Sequence, residues 1–263
     1  MPFKKYGFMG QEAKSLADEI RNNYKEHFLL VDQINEFTNE IVSTIIINSD
    51  DLQKSLIIGL LAKIIRSFNS VIILAKHGLE ADCYTLSRSL LENFFIFQAV
   101  YNDENLAIQY LLSEKAQQLK ATNVILNDAD ISKFFNKKQI DNLKKEKESL
   151  EQELDNKGIK SFSAEEWSRI TDLHESYQIA YRVFSKYVHS EPVSSECFLN
   201  LADNKKLKSI KLGQSVKGIK RNLYTATGIM LGADEIICEF KKINKAEEIK
   251  ILKEKLQTLN VSG

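Results

Sequence analysis

At 263 residues, with 43% hydrophobic and 27% charged side chains, the chain has the composition of a folded protein and enough length to bury a substantial core. With 36 basic and 36 acidic residues the formal net charge is zero, so no global field gathers nucleic acid or anionic membrane, and any such binding must come from a local patch. The three cysteines, Cys83, Cys197 and Cys238, are too scattered for a CxxC zinc or redox motif and too few for a disulfide framework; a reducing cytoplasm is the expected compartment.

The opening MPFKKYGFMGQEAKS has two lysines with no apolar run behind them, which does not read as a signal peptide. Uninterrupted apolar runs such as Leu56 to Ala62 fall short of the ~18 residues that a membrane span needs, and no membrane partner is expected. The only prolines are Pro2 and Pro192, so long helices can run without a break. The expected fold is all-α: a helical bundle of long antiparallel helices with a projecting charged helical hairpin. One domain is expected over 1–263, with core helices at about 10–100 and 164–241 and the exposed hairpin at about 104–157.

In chain order, Leu29, Leu30, Ile34, Phe37 and Ile41 recur at helical spacing and predict a first helix over about 10–47. At the break NSDD, Asp50 followed by Gln53 resembles a variant capping box. The second helix runs to about Lys76 and is apolar on most sides, so it belongs in the core. His77-Gly78 stops it, and LEADCYTLSRSLLENFFIFQAVYN forms a third helix, also central.

From Glu104 to about Leu126 and from Lys137 to Leu154 the apolar positions thin to a stripe, Ile140, Leu143, Leu150 and Leu154, set among Lys and Glu. That pattern suits either a solvated coiled-coil arm or an arm that binds a protein partner. Ser163 and Glu166 form a capping-box pattern that starts the helical region SAEEWSRITDLHESYQIAYRVFSKYVH, which Pro192 ends. Residues 190–215 read as irregular, and helices at about 216–241 and 245–258 close the chain.

Chemistry concentrates in YRVFSKYVHSEP. Seven residues are two helical turns, which places Arg182 and His189 on one face roughly 10 Å apart along the axis. Ser185 and Lys186 fall on the same stripe, while Ile179, Phe184 and Val188 are expected to face the core. An edge of cations and a hydroxyl suits a phosphodiester: Arg and Lys hold nonbridging oxygens, and His moves a proton at neutral pH. In the third helix Arg88 and Glu92 stand at i and i+4 among apolar residues. They could form an ion pair that fixes helix register, or Glu92 could orient His189 or Arg182 while Arg88 binds a phosphate.

The tract NKKLKSIKLGQSVKGIKR carries Lys205, Lys206, Lys208, Lys211, Lys217, Lys220 and Arg221 without an acidic residue. It is either a solvated loop and helix start or an electrostatic footprint for RNA backbone. His27 and His77 read as surface or capping residues, and His174 lies about four turns before His189, too far to share a metal unless the helix breaks. No HExxH, Walker-type or GxGxxG motif is present, and neither a metal nor another cofactor is expected.

The spacing of Arg182 and His189 resembles the R-x4-6-H motif of the HEPN superfamily, all-helical domains of which many are metal-independent ribonucleases in toxin, CRISPR and phage-defence systems. What that resemblance implies is a homodimer in which Arg182 and His189 of two protomers form a composite site that cleaves RNA by 2'-hydroxyl attack. Val183 departs from the group's pattern, which has a polar residue after the Arg. The segments HGLEADCYTLSRSLLENFF and YRVFSKYVHSEP together resemble an uncharacterised bacterial helical family catalogued as a domain of unknown function, with an Arg-x3-Glu helix followed by a Tyr-Val-His segment. That second resemblance spans about residues 55–195 and singles out Arg88, Glu92 and His189. The alternative to a nuclease is a non-catalytic helical interaction or scaffold protein in which the Arg, Glu and His side chains form a structural network.

Overall fold

A computed structural model describes residues 7–46, 51–155, 158–188, 192–196, 198–201, 206–210 and 213–261. After a short 3-10 turn at Gly7–Met9, two helices replace the one expected over 10–47: α1 (Gln11–Asn23) and α2 (Lys25–Ser43). The chain leaves helical geometry at Tyr24, with φ −113° and ψ 30°. Two asparagines, poor helix formers, precede this break. The Tyr24 ring then meets His27 edge-on, and its hydroxyl donates to the Val216 carbonyl.

Helix α3 (Leu52–Lys76) is capped by Asp51, whose carboxylate accepts from the Lys54 backbone N–H at 3.0 Å. The Gln53 amide donates to the Val100 and Tyr101 carbonyls at 2.7 and 3.3 Å. Asp50 lies outside the described residues. By length and composition α3 is apolar enough to cross a membrane, which uninterrupted runs understate because Lys63 and Arg66 interrupt them. In the fold it packs against α4 (Glu80–Asn102), burying Ile57, Leu60, Leu61, Ile64, Phe68, Val71 and Ala75. The two helices turn at His77-Gly78 through the left-handed φ of Gly78, 67°.

Helix α5 (Glu104–Asn127) starts on the bundle, where Ala107 and Leu112 are buried, and then runs outward. The short α6 (Ala129–Ser132) turns the chain into α7 (Lys137–Leu154), which packs against α5. Leu150 is the buried residue of its stripe; Ile140, Leu143 and Leu154 are half-buried. A charged helical hairpin is therefore present, closed by polar contacts such as Lys115 to Glu153.

The helical region expected from Ser163 comes in four pieces. α8 (Ala164–Ile170) opens with the predicted capping box, in which the Ser163 hydroxyl accepts from Glu166 N–H while Glu166 accepts from Ser163 N–H. A left-handed Asp172, φ 58°, ends it. Then follow α9 (His174–Ser176), a π turn at Tyr177–Tyr181, and α10 (Arg182–Val188). Pro192 begins α11 (Pro192–Glu196), in the first helical position where a missing N–H costs nothing. Residues expected to be irregular contain a small antiparallel hairpin, β1 (Leu199–Leu201) with β2 (Leu207–Ile210), Leu199 opposite Ile210. Leu-Asn-Leu alternates with the period of a strand, but Leu-Lys-Ser-Ile does not, so only half of the strand signal is present in the sequence.

Helix α12 (Ile219–Lys241) crosses α2, α3 and α4, and α13 (Ala246–Val261) lies along α12 and α2. Phe68, Phe95, Phe97 and Phe184 are fully buried where α3, α4, α10 and α12 converge. The fold class is all-α, a helical bundle carrying one two-stranded hairpin. Burial of Phe95, Tyr181 and Phe184 fixes how the π turn and α10 sit on α4.

Candidate functional site

At the π turn the backbone N–H of Arg182 bonds the carbonyl of Tyr177, five residues back. This turn inserts an extra residue into the helix and resets which side chains face inward. Tyr181 and Phe184 are buried, and the Tyr187 ring packs at a tilt against Tyr84, centroids 4.4 Å apart. Ile179 and Val188, expected in the core, are instead exposed, Ile179 by 63%. On a wheel of about 100° per residue Ile179 stands about 140° from Phe184 and about 180° from Val188, so the three do not share a face, and Phe184 alone of them is buried.

The reset leaves a polar cleft of about 760 Å³ between α4, the start of α8, the π turn and α10. Arg88 forms its inner wall. Its Nη1 pairs with Glu92 Oε2 at 3.3 Å, its Nε donates to Ser185 Oγ at 3.2 Å, and its guanidinium lies 4.7 Å from the centre of the Tyr181 ring. The Tyr181 hydroxyl donates to Glu92 at 3.4 Å, and the Ser185 hydroxyl donates to the Tyr181 carbonyl at 2.8 Å. Burial, reinforced by the Glu92 charge, pushes the Tyr181 hydroxyl up to about 12, so it stays a donor. Glu92 thus holds Arg88 and Tyr181. It does not touch Arg182, one of the two partners the sequence allowed.

Arg182 and Lys186, one turn apart on α10, are exposed at the mouth of this cleft. Among the described residues neither has an ion-pair partner. Glu165, the nearby carboxylate on α8, is taken up by Arg169 at 2.9 Å, which holds it below the usual carboxylate range. Arg182 Nη1 donates to Gln178 Oε1 at 2.8 Å. Gln178 Nε2 stands 3.0 Å from His174 Nε2, and His174 Nδ1 is 3.4 Å from Ser168 Oγ. His174, set aside from sequence, thus joins Arg182 through one glutamine, and its ring stacks on Tyr177, which stacks on Tyr181. The signal was available as H-x3-Q-x3-R, three polar residues at i, i+4 and i+8.

The structure brings together Arg88, Glu92, Arg182, Ser185 and Lys186. His189, next in sequence after α10, lies outside the described residues. So do Lys205 and Lys211 of the basic tract. Lys208 is exposed on β2, and Lys206 precedes that strand. Lys217 and Lys220 are exposed around the start of α12, with Lys220 close enough to help lower the pKa of His27, which burial depresses first. Arg221 opens onto a different cavity. Among the described residues, no member of the tract lines the polar cleft, and no group of three or more His, Cys, Asp or Glu is placed to hold a metal ion.

Residues 54–207 match the model of a family of unknown function (DUF5677). No curated protein and no solved structure matches the chain.

Proposed function

The chain belongs to DUF5677, a family of unknown function, and we propose that its polar cleft binds the RNA backbone and that the protein is an HEPN-like, metal-independent endoribonuclease. The observation that carries this is the pair of exposed cations, Arg182 and Lys186, at the mouth of a polar cleft with no carboxylate paired to either among the described residues. Two such cations suit the nonbridging oxygens of a phosphodiester. The 2'-oxygen attacks phosphorus, the bond to the 5'-oxygen breaks, and the products are a 2',3'-cyclic phosphate and a 5'-hydroxyl. Arg182 stabilises the charge of the transition state, and His189 serves as acid or base. Arg88, Glu92 and Ser185 hold the wall behind them. Lys206, Lys208, Lys217 and Lys220 add to the field that draws in RNA. The working form is a cytoplasmic homodimer with a composite site, in the role of a toxin or phage-defence effector.

The test is cleavage of a quenched fluorescent RNA in the presence of a chelator, with identification of the product termini. Arg182→Ala should slow cleavage roughly 100-fold, and His189→Ala should remove it. Unchanged cleavage by His189→Ala sinks the assignment.

A second function, a non-catalytic interaction protein that engages a protein partner through the charged hairpin, is favoured by one observation: Arg88, Glu92, Tyr181 and Ser185 are satisfied by one another. In that case substitutions in this network lower the melting temperature and no RNA cleavage accompanies the purified protein.

A further inference from the structure

On the far side of the π turn from the polar cleft lies a second cavity, of about 710 Å³, within the size range of small-molecule sites. Its walls are apolar: Leu91 and Phe94 of α4, Val183 of α10, Ile229 of α12 and Leu256 of α13 all face it. Along α12 the lining residues change character in order, from Arg221 through Tyr224 and Thr225 to Gly228 and Gly232. The two glycines, one turn apart, leave the apolar end of this stripe without side chains. A Cβ on Gly232 would press into the Phe94 ring at 2.7 Å, whereas a Cβ on Gly228 would meet Leu256 at 3.8 Å, an ordinary contact.

Charge is distributed unevenly around the opening. Lys253 is neutralised by Glu235 at 2.7 Å. Arg221 has no ion-pair partner among the described residues, and it stands at the polar end of the stripe. One carboxylate, Glu175, lies on the rim contributed by α9. From Arg221 to Gly232 the helix rises about 16 Å, so a ligand lying along it meets a cation and two hydroxyls at one end and bare backbone between apolar walls at the other.

We propose that this channel binds an amphiphilic carboxylate, an unbranched acyl chain whose carboxylate pairs with Arg221 while the chain lies over Gly228 and Gly232. The apolar walls supply the binding energy of the chain, and the bidentate fork of Arg221 supplies the preference for an anionic head.

The test uses the full chain, titrated by calorimetry with decanoate and with decanol. Saturable binding of one decanoate per chain is expected, roughly tenfold tighter than decanol, as one charge-assisted contact would give. Arg221→Gln should erase that tenfold preference and leave decanol binding unchanged. Gly228→Leu should fill the channel and abolish both; Thr225→Leu, on the same wall, serves if Gly228→Leu fails to fold. Three results overturn the proposal: no saturable decanoate binding, a decanoate preference that survives Arg221→Gln, or sedimentation showing that a second copy covers the channel, with Ile179→Asp yielding monomers that bind neither ligand.

Discussion

The guanidinium of Arg88 lies over the ring of Tyr181, 4.7 Å from its centre, and through this contact α4 holds the π turn. Arg88 is only 23% exposed at its side chain. Arg88→Ala removes the stacking, the Glu92 pair and the bond to Ser185 together, and should cost about 2 kcal/mol in urea unfolding. Arg88→Lys keeps the charge but not the planar fork and should fall between the two.

Asp234 is fully buried on α12, accepting from the Thr38 hydroxyl at 2.8 Å through Oδ2, while Oδ1 has no hydrogen-bond partner among the described residues. Burial pushes this carboxyl up to about 7, against a modest lowering by Thr38. Because the folded value lies above the unfolded one, the acid's contribution is complete below about pH 4 and is lost as pH rises through about 7. Relative to Asp234→Asn, the wild type should therefore lose a few kcal/mol of unfolding free energy between pH 4 and pH 8. Parallel stability curves for the two proteins across that range would refute the assignment.

Gly218 takes φ 79° at the start of α12, and a Cβ there would collide with the Tyr84 hydroxyl. Two costs then coincide, left-handed backbone and a steric clash with a ring that is itself stacked on Phe184 and packed at a tilt against Tyr187. Gly218→Ala should lower stability by more than about 1 kcal/mol, whereas Gly59→Ala, whose Cβ would meet nothing within 4 Å, should be neutral or stabilising. Thermal melts of the two variants make the comparison.

Helix α7 buries Leu150 and leans on α5, while α4 is buried along most of its length. Amide exchange in α7 should proceed by local opening at a lower free energy than exchange in α4. Leu150→Ala should accelerate exchange in α7 by about 10-fold or more and leave the α4 amides unaffected. Hydrogen-exchange mass spectrometry resolves the two helices.

Long segments with sustained periodicity were legible from sequence. α3 and α4 pack centrally as their apolar composition requires, α12 falls within the expected 216–241, and the Ser163–Glu166 capping box forms as its spacing requires. Failures occurred where local chemistry broke the period. Tyr24 splits the first helix, Asp172 stops α8 through a left-handed turn, and a π turn interrupts the winding at Tyr177–Tyr181. At the cleft, the i, i+4 spacing of Arg88 and Glu92 announced their ion pair. The stacking of Arg88 on Tyr181 is tertiary, and no helical wheel displays it, whereas the i, i+4 link of His174 to Gln178 was legible and went unread.

That turn separates two cavities, with Val183 lining both. Its geometry depends on a residue count, not on any one side chain. Removing a single residue from Tyr177–Tyr181 would return the segment to regular winding, and every described position beyond it on α10 would swing about 100°. Arg182 and Lys186 would leave the mouth of the polar cleft, and Phe184 would leave the core. A one-codon deletion here is therefore a far harsher change than any substitution at the same positions, and relatives of this chain should vary in residue type across the turn while holding its length constant.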